Sequence, residues 1–241
     1  MNSTVVVIPT FNEAANIQGI IRAIVDLPVP LDMLVVDDNS PDGTANIVHS
    51  LKATFPQLHL LVRQNKEGLG PAYIHGFKWA MDNGYTYLFE MDADFSHPPK
   101  ALTEMLLMLE QNNADVVVGS RYKKGIRVRK WPLSRIVLSL GASLYVRIIT
   151  GLPIADPTAG FVGYKIKALS SLNLDDIEFK GYAFQIALKF WLWKKNFQIV
   201  EFPITFTDRI AGESKMNTSI VNEAIFGIIC MKWRSVFKKQ V

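Results

Sequence analysis

Five short runs of aliphatic and β-branched residues recur through the first half of the chain, each followed by a polar turn and a helix-forming stretch. The runs at 4–8, 33–36, 58–62, 85–91 and 116–118 read as strands. Apolar runs without alternation mark strands covered on both faces. Between them the pattern predicts helices over 13–25, 44–54, 71–83 and from Pro98-Pro99 to 111. Asn12 is the expected cap of the first, which Pro28 and Pro30 close. Such alternation folds as a largely parallel α/β sheet with helices on both faces. Ligands of such sheets bind beyond the carboxyl ends of the strands. The polar clusters follow that rule: Asp37-Asp38 ends the second run, Asp92 and Asp94 the fourth, and Arg121 the fifth.

After Arg121 the pattern changes. Seven basic residues lie in 121–135: Arg121, Lys123, Lys124, Arg127, Arg129, Lys130 and Arg135. A helix is expected over 133–149, with Leu133, Val137, Leu140, Leu144 and Ile148 on one face. A strand over 161–164, a helix over 183–195, a strand over 199–202 and a closing helix over 219–233 follow. No Gly/Ser linker divides the chain, so residues 1–241 read as one domain. With 241 residues, 49% hydrophobic, and a net charge of +4, the chain can bury a core and is not disordered. Its basicity is mild, and no nucleic-acid motif or stacking-aromatic pattern accompanies it, which excludes a nucleic-acid binder. No stretch reaches the ~18 uninterrupted apolar residues of a membrane span, because Arg147 breaks the best candidate, 136–150. The N-terminus lacks the charged and apolar regions of a signal peptide. The single cysteine, Cys230, excludes an intrachain disulfide framework and is expected to be a buried thiol.

The chemistry-bearing unit is Glu90-Met91-Asp92-Ala93-Asp94. Carboxylates at i and i+2, just past a buried strand, give two hard oxygen ligands suited to Mg²⁺ or Mn²⁺ shared with substrate phosphates. A solvated turn with a capping Asp is the plainer reading of the same residues. Asp38, after the second strand, is placed to accept a hydrogen bond from a nucleoside base; a simple Asx turn is the alternative. Neither G-x-G-x-x-G nor G-x-x-x-x-G-K-[ST] occurs, so a dinucleotide fold and a P-loop are excluded. The loop Asp208-Arg209-Ile210-Ala211-Gly212-Glu213-Ser214-Lys215 suits a mobile phosphate clamp or an ordinary surface loop. The unit 156–161 reads as turn chemistry. His49, His59, His75 and His97 have no metal-ligand spacing.

In order along the chain, PTFNE (9–13), VVDDNSPDGT (35–44), MDADFSHPP (91–99), GSRY (119–122), WPLSR (131–135), DPTAGF (156–161), GYAFQI (181–186) and FPITFTDRIAGESKM (202–216) resemble the dolichol-phosphate (polyprenol-phosphate) mannose synthases of glycosyltransferase family 2. The resemblance spans about residues 4–233. It implies a GT-A fold, with 1–120 as the nucleotide-sugar half and 121–241 as the acceptor half. It also implies inverting, metal-dependent transfer of mannose from GDP-mannose to a polyprenyl phosphate. On this resemblance Pro9, Phe11 and Glu13 contact the nucleotide, and Val36 and Asp38 recognise the base. Asp92, Ala93, Asp94 and Ser96 take the metal and diphosphate, with Asp94 the principal ligand of Mg²⁺ or Mn²⁺. Arg121, Arg135 and Ser139 meet the lipid phosphate or the donor diphosphate, and Arg209, Ser214 and Lys215 belong to a mobile loop over the site.

Two departures stand out. Ala187 replaces a glutamate often found in the family, and Ile136 replaces a second basic residue after Arg135. They leave open another donor such as UDP-glucose, or an inactive lipid-binding subunit on the same scaffold. The acceptor lives in a bilayer, so the expected location is the cytoplasmic face of a membrane, either peripherally or through an anchor subunit. The expected contacts are the basic stretch 123–130, Trp131 and the basic tail 232–239.

Overall fold

A computed structural model describes residues 3–111, 114–177, 179, 181, 183–208 and 218–237, with 218–224 and 237 as backbone alone. The strands are β1 (Thr4–Thr10), β2 (Asp32–Asp37), β3 (Leu58–Val62), β4 (Tyr87–Glu90), β5 (Val116–Ser120), β6 (Val128–Arg129), β7 (Val162–Lys165), β8 (Ile199–Pro203) and β9 (Phe206–Thr207). The helices are α1 (Ile17–Val25), α2 (Thr44–Leu51), α3 (Leu69–Asp82), α4 (Ala101–Glu110), α5 (Leu133–Thr150), α6 (Ile166–Leu169), α7 (Ala183–Lys194) and α8 (Thr218–Phe237). Seven strands form one sheet in the order β3-β2-β1-β4-β7-β5-β8.

Alternate residues of β1 serve opposite faces, as the pleat requires. Val5 and Val7 pack with Phe77, Tyr164 and Phe184 on one side, while Val6 and Ile8 pack with Ile20, Ile21 and Leu102 on the other. Both faces are therefore covered, which explains the unbroken apolar runs. Gly76 lets α3 close onto β1, since a Cβ there would lie 2.5 Å from Val7. Truncating a fully buried ring such as Phe77 to Ala would cost about 3–5 kcal/mol.

The sheet is mostly parallel, with one exception that shapes the site. β7 runs antiparallel between β4 and β5. Its entry point therefore lies at the carboxyl ends of its neighbours, with Val162 opposite both Glu90 and Val118. The loop 156–161 is thus delivered to the rim where β4 and β5 end. A two-stranded ribbon, β6 with β9, joins the basic stretch to residues 206–207 at the same rim.

Three local expectations need correction. Asn12 is not a helix cap: it sits at φ 59° and donates its N–H to Ser40 Oγ at 3.0 Å, and α1 begins only at Ile17. Cys230 is exposed on α8, not buried. The expectation that Arg147 breaks the best span candidate fails as well, since α5 runs unbroken over Leu133–Thr150. Its stripe of Leu133, Val137, Leu144 and Ile148 is exposed, and the buried side is Ser143, Val146 and Thr150. By length and composition α5 is apolar enough to cross a membrane, with a mean hydropathy of 1.4. Its polar side is nonetheless docked on the domain, where Ser143 Oγ lies 3.4 Å from Thr158 Oγ1.

Candidate active site

The rim at the β1/β2/β4 ends is built from carboxylates held by neutral donors. Asp37 accepts from Thr10 Oγ1 at 2.7 Å and from the N–H and hydroxyl of Ser40 at 2.8 and 2.6 Å. Asp42 accepts from the Ala14 and Thr44 N–H groups and from the Thr44 hydroxyl. Glu13 is buried; its N–H donates to Thr44 Oγ1, and its carboxylate accepts from Asn16. Pro9 and Phe11 are half-buried at the end of β1, and Lys66 places its ammonium 3.8 Å from the Phe11 ring centre.

Asp38 is buried beside this group and receives Arg63 Nη1 at 2.8 Å. Arg63 also pairs with Glu67. Burial pushes the Asp38 carboxyl up, and the Arg63 charge opposes this only in part. Sequence reasoning missed Arg63, although it directly follows β3 and so obeys the rule that located the other groups. The Val36 side chain lies wholly in the core between β1 and α3, so a part in base recognition would fall to its backbone.

The D-x-D turn leaves β4 at the centre of the rim. Asp94 is buried and accepts the Ser96 N–H at 3.0 Å. Asp92 is more open; its side chain lies 3.5 Å from the Tyr73 hydroxyl. Ala93 is buried and offers only backbone. Phe95 holds φ 61°, a strained conformation for a bulky residue and typical of functional turns. His97 stacks on Phe161 and accepts the Asp92 N–H at its Nδ1, 3.1 Å away. Burial lowers its pKa against the pull of nearby carboxylates. The imidazole steadies the turn.

A divalent cation fits this turn in its donor chemistry. Two carboxylates lie at i and i+2 of the turn, and the buried Ser96 Oγ has no hydrogen-bond partner among the described residues. No cluster of three or more His, Cys, Asp or Glu suited to a metal occurs among the described residues. The protein would thus supply Asp92 and Asp94, leaving further positions to substrate oxygens and water.

Across the rim the pattern inverts, and cations are held by carboxylates. Arg121 donates to Asp156 through its N–H, Nε and Nη2 at 2.9, 2.7 and 2.6 Å, and Nη2 also reaches Thr158 Oγ1 at 2.7 Å. Asp156 is fully buried, and Glu201 accepts from the N–H groups of Ala155 and Asp156. Burial pushes the Asp156 carboxyl up, but the Arg121 charge and hydrogen bonds outweigh this and hold it below its ordinary value. Arg135 pairs with Asp208 at 2.9 Å and lies 4.1 Å from the Trp131 ring centre. Ser139 accepts from the Tyr122 hydroxyl at 2.7 Å. Arg121 also lies over Tyr122, Trp131 and Phe206, so Arg121, Arg135 and Ser139 form one cluster. Arg209, Ser214 and Lys215 lie outside the described residues. Asp156, read as plain turn chemistry, is the anchor of this cluster.

Residues 5–172 match the family described as glycosyl transferase family 2. The chain belongs to that family. It has the GT-A architecture and is a glycosyltransferase. The undecaprenyl-phosphate mannosyltransferase of Micrococcus luteus is 44% identical over 222 residues, 92% of this chain and 90% of that protein. The polyprenol monophosphomannose synthase of Mycolicibacterium smegmatis is 42% identical over 226 residues, 93% of this chain and 85% of that protein. Among solved structures, a mannosyltransferase from Pyrobaculum calidifontis in complex with GDP-Man and Mn²⁺ superposes with a TM-score of 0.64 at 18% identity. That match covers 100% of this chain and 65% of the other.

Within this glycosyltransferase two buried groups lie directly behind the rim. Glu90 precedes the D-x-D and accepts from the Tyr164 hydroxyl at 3.2 Å. Lys189 of α7 is fully buried and donates to the Ala159 carbonyl at 2.8 Å. Burial raises the Glu90 pKa and lowers that of Lys189, and the two charges moderate each other. The signal for Lys189 is present in the sequence: α7 is apolar all round, so a lysine in its middle must be buried.

Proposed function

We propose that this enzyme transfers mannose from GDP-mannose to a polyprenyl phosphate with inversion at the anomeric carbon, using Mg²⁺ or Mn²⁺. The observation that carries the reading is the meeting of two opposite sites on one rim. The carboxylate turn at Asp92 and Asp94 would take a metal–diphosphate, and the Arg121–Asp156 clamp lies across from it at the entry to β7. The names of the two bacterial relatives and the GDP-Man ligand of the structural neighbour support the same donor and acceptor.

A phosphate monoester is anionic at neutral pH and needs no strong general base. It needs orientation and charge neutralisation. Arg121 and Arg135 supply planar donors that match phosphate oxygens, and Tyr122 with Ser139 adds hydroxyls beside them. One phosphate oxygen forms the bond to the anomeric carbon as the bond to the GDP oxygen breaks on the opposite face. Asp92 and Asp94 would hold the divalent cation, which would supply Lewis-acid stabilisation to the departing diphosphate. Asp38, fixed by Arg63, takes the edge N–H donors of guanine, while Phe11 packs at the nucleoside.

The lipid chain calls for a surface. Leu133, Val137, Leu138, Leu144 and Ile148 of α5 and Phe226, Ile229, Trp233 and Val236 of α8 are exposed on two helices that touch through Tyr145 and the Ile225 carbonyl. Flanked by the basic residues of 121–135 and by Lys232 and Arg234, this face suits peripheral docking on an anionic bilayer. The decisive experiment offers GDP-mannose, UDP-glucose and other nucleotide sugars with Mn²⁺ to a short-chain polyprenyl phosphate and reads the lipid product by mass. Mannosyl lipid from GDP-mannose alone is the expected result. Product from a UDP-sugar instead would overturn the donor, and no lipid product from any donor would overturn the transfer.

A further inference from the structure

We propose that Lys189 is a positioning residue that ties α7 to the loop that orients Arg121. The inference rests on the reading of Arg121 as the acceptor-phosphate clamp. Lys189 has no solvent exposure, and its Nζ donates to the Ala159 carbonyl at 2.8 Å. Ala159 belongs to the loop 156–161, and its own N–H returns to the Asp156 carbonyl at 3.3 Å. Asp156 in turn grips Arg121 through its backbone N–H, Nε and Nη2. One short path therefore runs from the Lys189 ammonium through two backbone bonds to the guanidinium.

Lys189 is fully buried in the middle of α7, and its ammonium meets the loop at the buried Ala159. A long side chain anchored at one end by its helix and at the other by that carbonyl fixes how the loop sits against α7. Without Lys189 the Ala159 carbonyl loses its donor, and a buried polar atom left unsatisfied is costly.

The test separates positioning from fold stability. Kinetics with GDP-mannose, Mn²⁺ and a short-chain polyprenyl phosphate are measured for wild type, Lys189→Met and Lys189→Arg, beside thermal unfolding and GDP binding. In Lys189→Met, kcat/KM for the acceptor falls about 10–100-fold, the scale of a small misplacement of a catalytic group. GDP affinity changes less than about twofold on this reading, since the base pocket is untouched. Lys189→Arg keeps a buried donor for the Ala159 carbonyl, so its acceptor kinetics recover most of the loss seen in Lys189→Met. Wild-type acceptor kinetics in Lys189→Met, or a fall in GDP affinity as large as the fall in acceptor kcat/KM, would overturn the proposal. A wild-type enzyme that makes no lipid product would instead sink the transfer reading, and this inference with it.

Discussion

The two sides of the rim are ordered by opposite means. On the donor side, Asp37, Asp42 and Asp94 are held by hydroxyls and backbone N–H groups, which orient a carboxylate without cancelling its charge. On the acceptor side, Arg121 and Arg135 are held by Asp156 and Asp208, which orient the cations and neutralise part of their charge. Among the described residues, the carboxylates of one side thus have neutral donors, whereas the guanidinium groups of the other are ion-paired. On the proposed reading the first arrangement suits a cation and the second orients a phosphate. Asp38 is the exception on the donor side, because it is paired with Arg63.

The largest break in this comparison should come from Asp94. Asp94→Ala removes one of the two carboxylates of the D-x-D turn, and kcat should fall by about 10³-fold or more, the loss of several kcal/mol of leaving-group stabilisation. GDP release with Mn²⁺ and calorimetric Mn²⁺ titration check it; near-normal turnover would remove Asp94 from the metal site.

Asp156→Asn should come next, because it disturbs a cation rather than an anion. It keeps the shape but loses the charge that fixes Arg121, and kcat/KM for the acceptor should drop about 10²-fold with donor KM little changed. Stability gives an independent reading. The folded pKa of Asp156 is depressed below its ordinary 3.8. Its contribution is therefore fully present above pH 3.8 and is lost as pH falls through the lower folded value. The gap in unfolding free energy between wild type and Asp156→Asn should be widest near neutral pH and narrow on acidification below 3.8. A gap independent of pH would mean that the Asp156 charge does not stabilise the fold.

Arg63→Met probes the exception. It leaves a buried Asp38 without its partner, so GDP binding should weaken about tenfold and the protein should lose stability. Calorimetry with GDP and UDP checks both the loss and whether the preference for guanine narrows. Unchanged GDP affinity would take the Arg63–Asp38 pair out of the base pocket.

How much of this was legible follows from what each signal measures. Apolar runs report burial, so the five strands of the first half and the polar ends that carry Asp38, Asp92, Asp94 and Arg121 could be read directly. They do not report direction, and the antiparallel run of β7 could not be foreseen. That reversal is what makes Asp156 an anchor rather than a turn residue. Helical periodicity shows that α5 has an apolar stripe but not what the stripe faces. Val137 and Ile148 proved exposed, while Ser143 and Thr150 are buried. Cys230 misleads in the same way, since an apolar neighbourhood in sequence is not an interior one in space. Val36 lies in a matching motif yet points into the core, because residues along a strand alternate between faces.

The smallest effect tests the surface that the acceptor side presents. Phe226 and Trp233 of α8 are 68% and 66% exposed, so neither contributes much to the core. Replacing both with Ser should leave the melting temperature nearly unchanged. If this face docks on a bilayer, each replacement removes about 1–2 kcal/mol of apolar transfer. Flotation with anionic liposomes should then weaken by about tenfold per site, while turnover of a water-soluble short-chain acceptor stays within about twofold. The contrast with Asp156→Asn is the point of the pair: one variant damages the clamp and spares membrane binding, the other does the reverse. Equal flotation of the double Ser variant and wild type would place the lipid contact elsewhere, and a parallel fall in soluble-acceptor turnover would mean that α8 shapes the clamp itself.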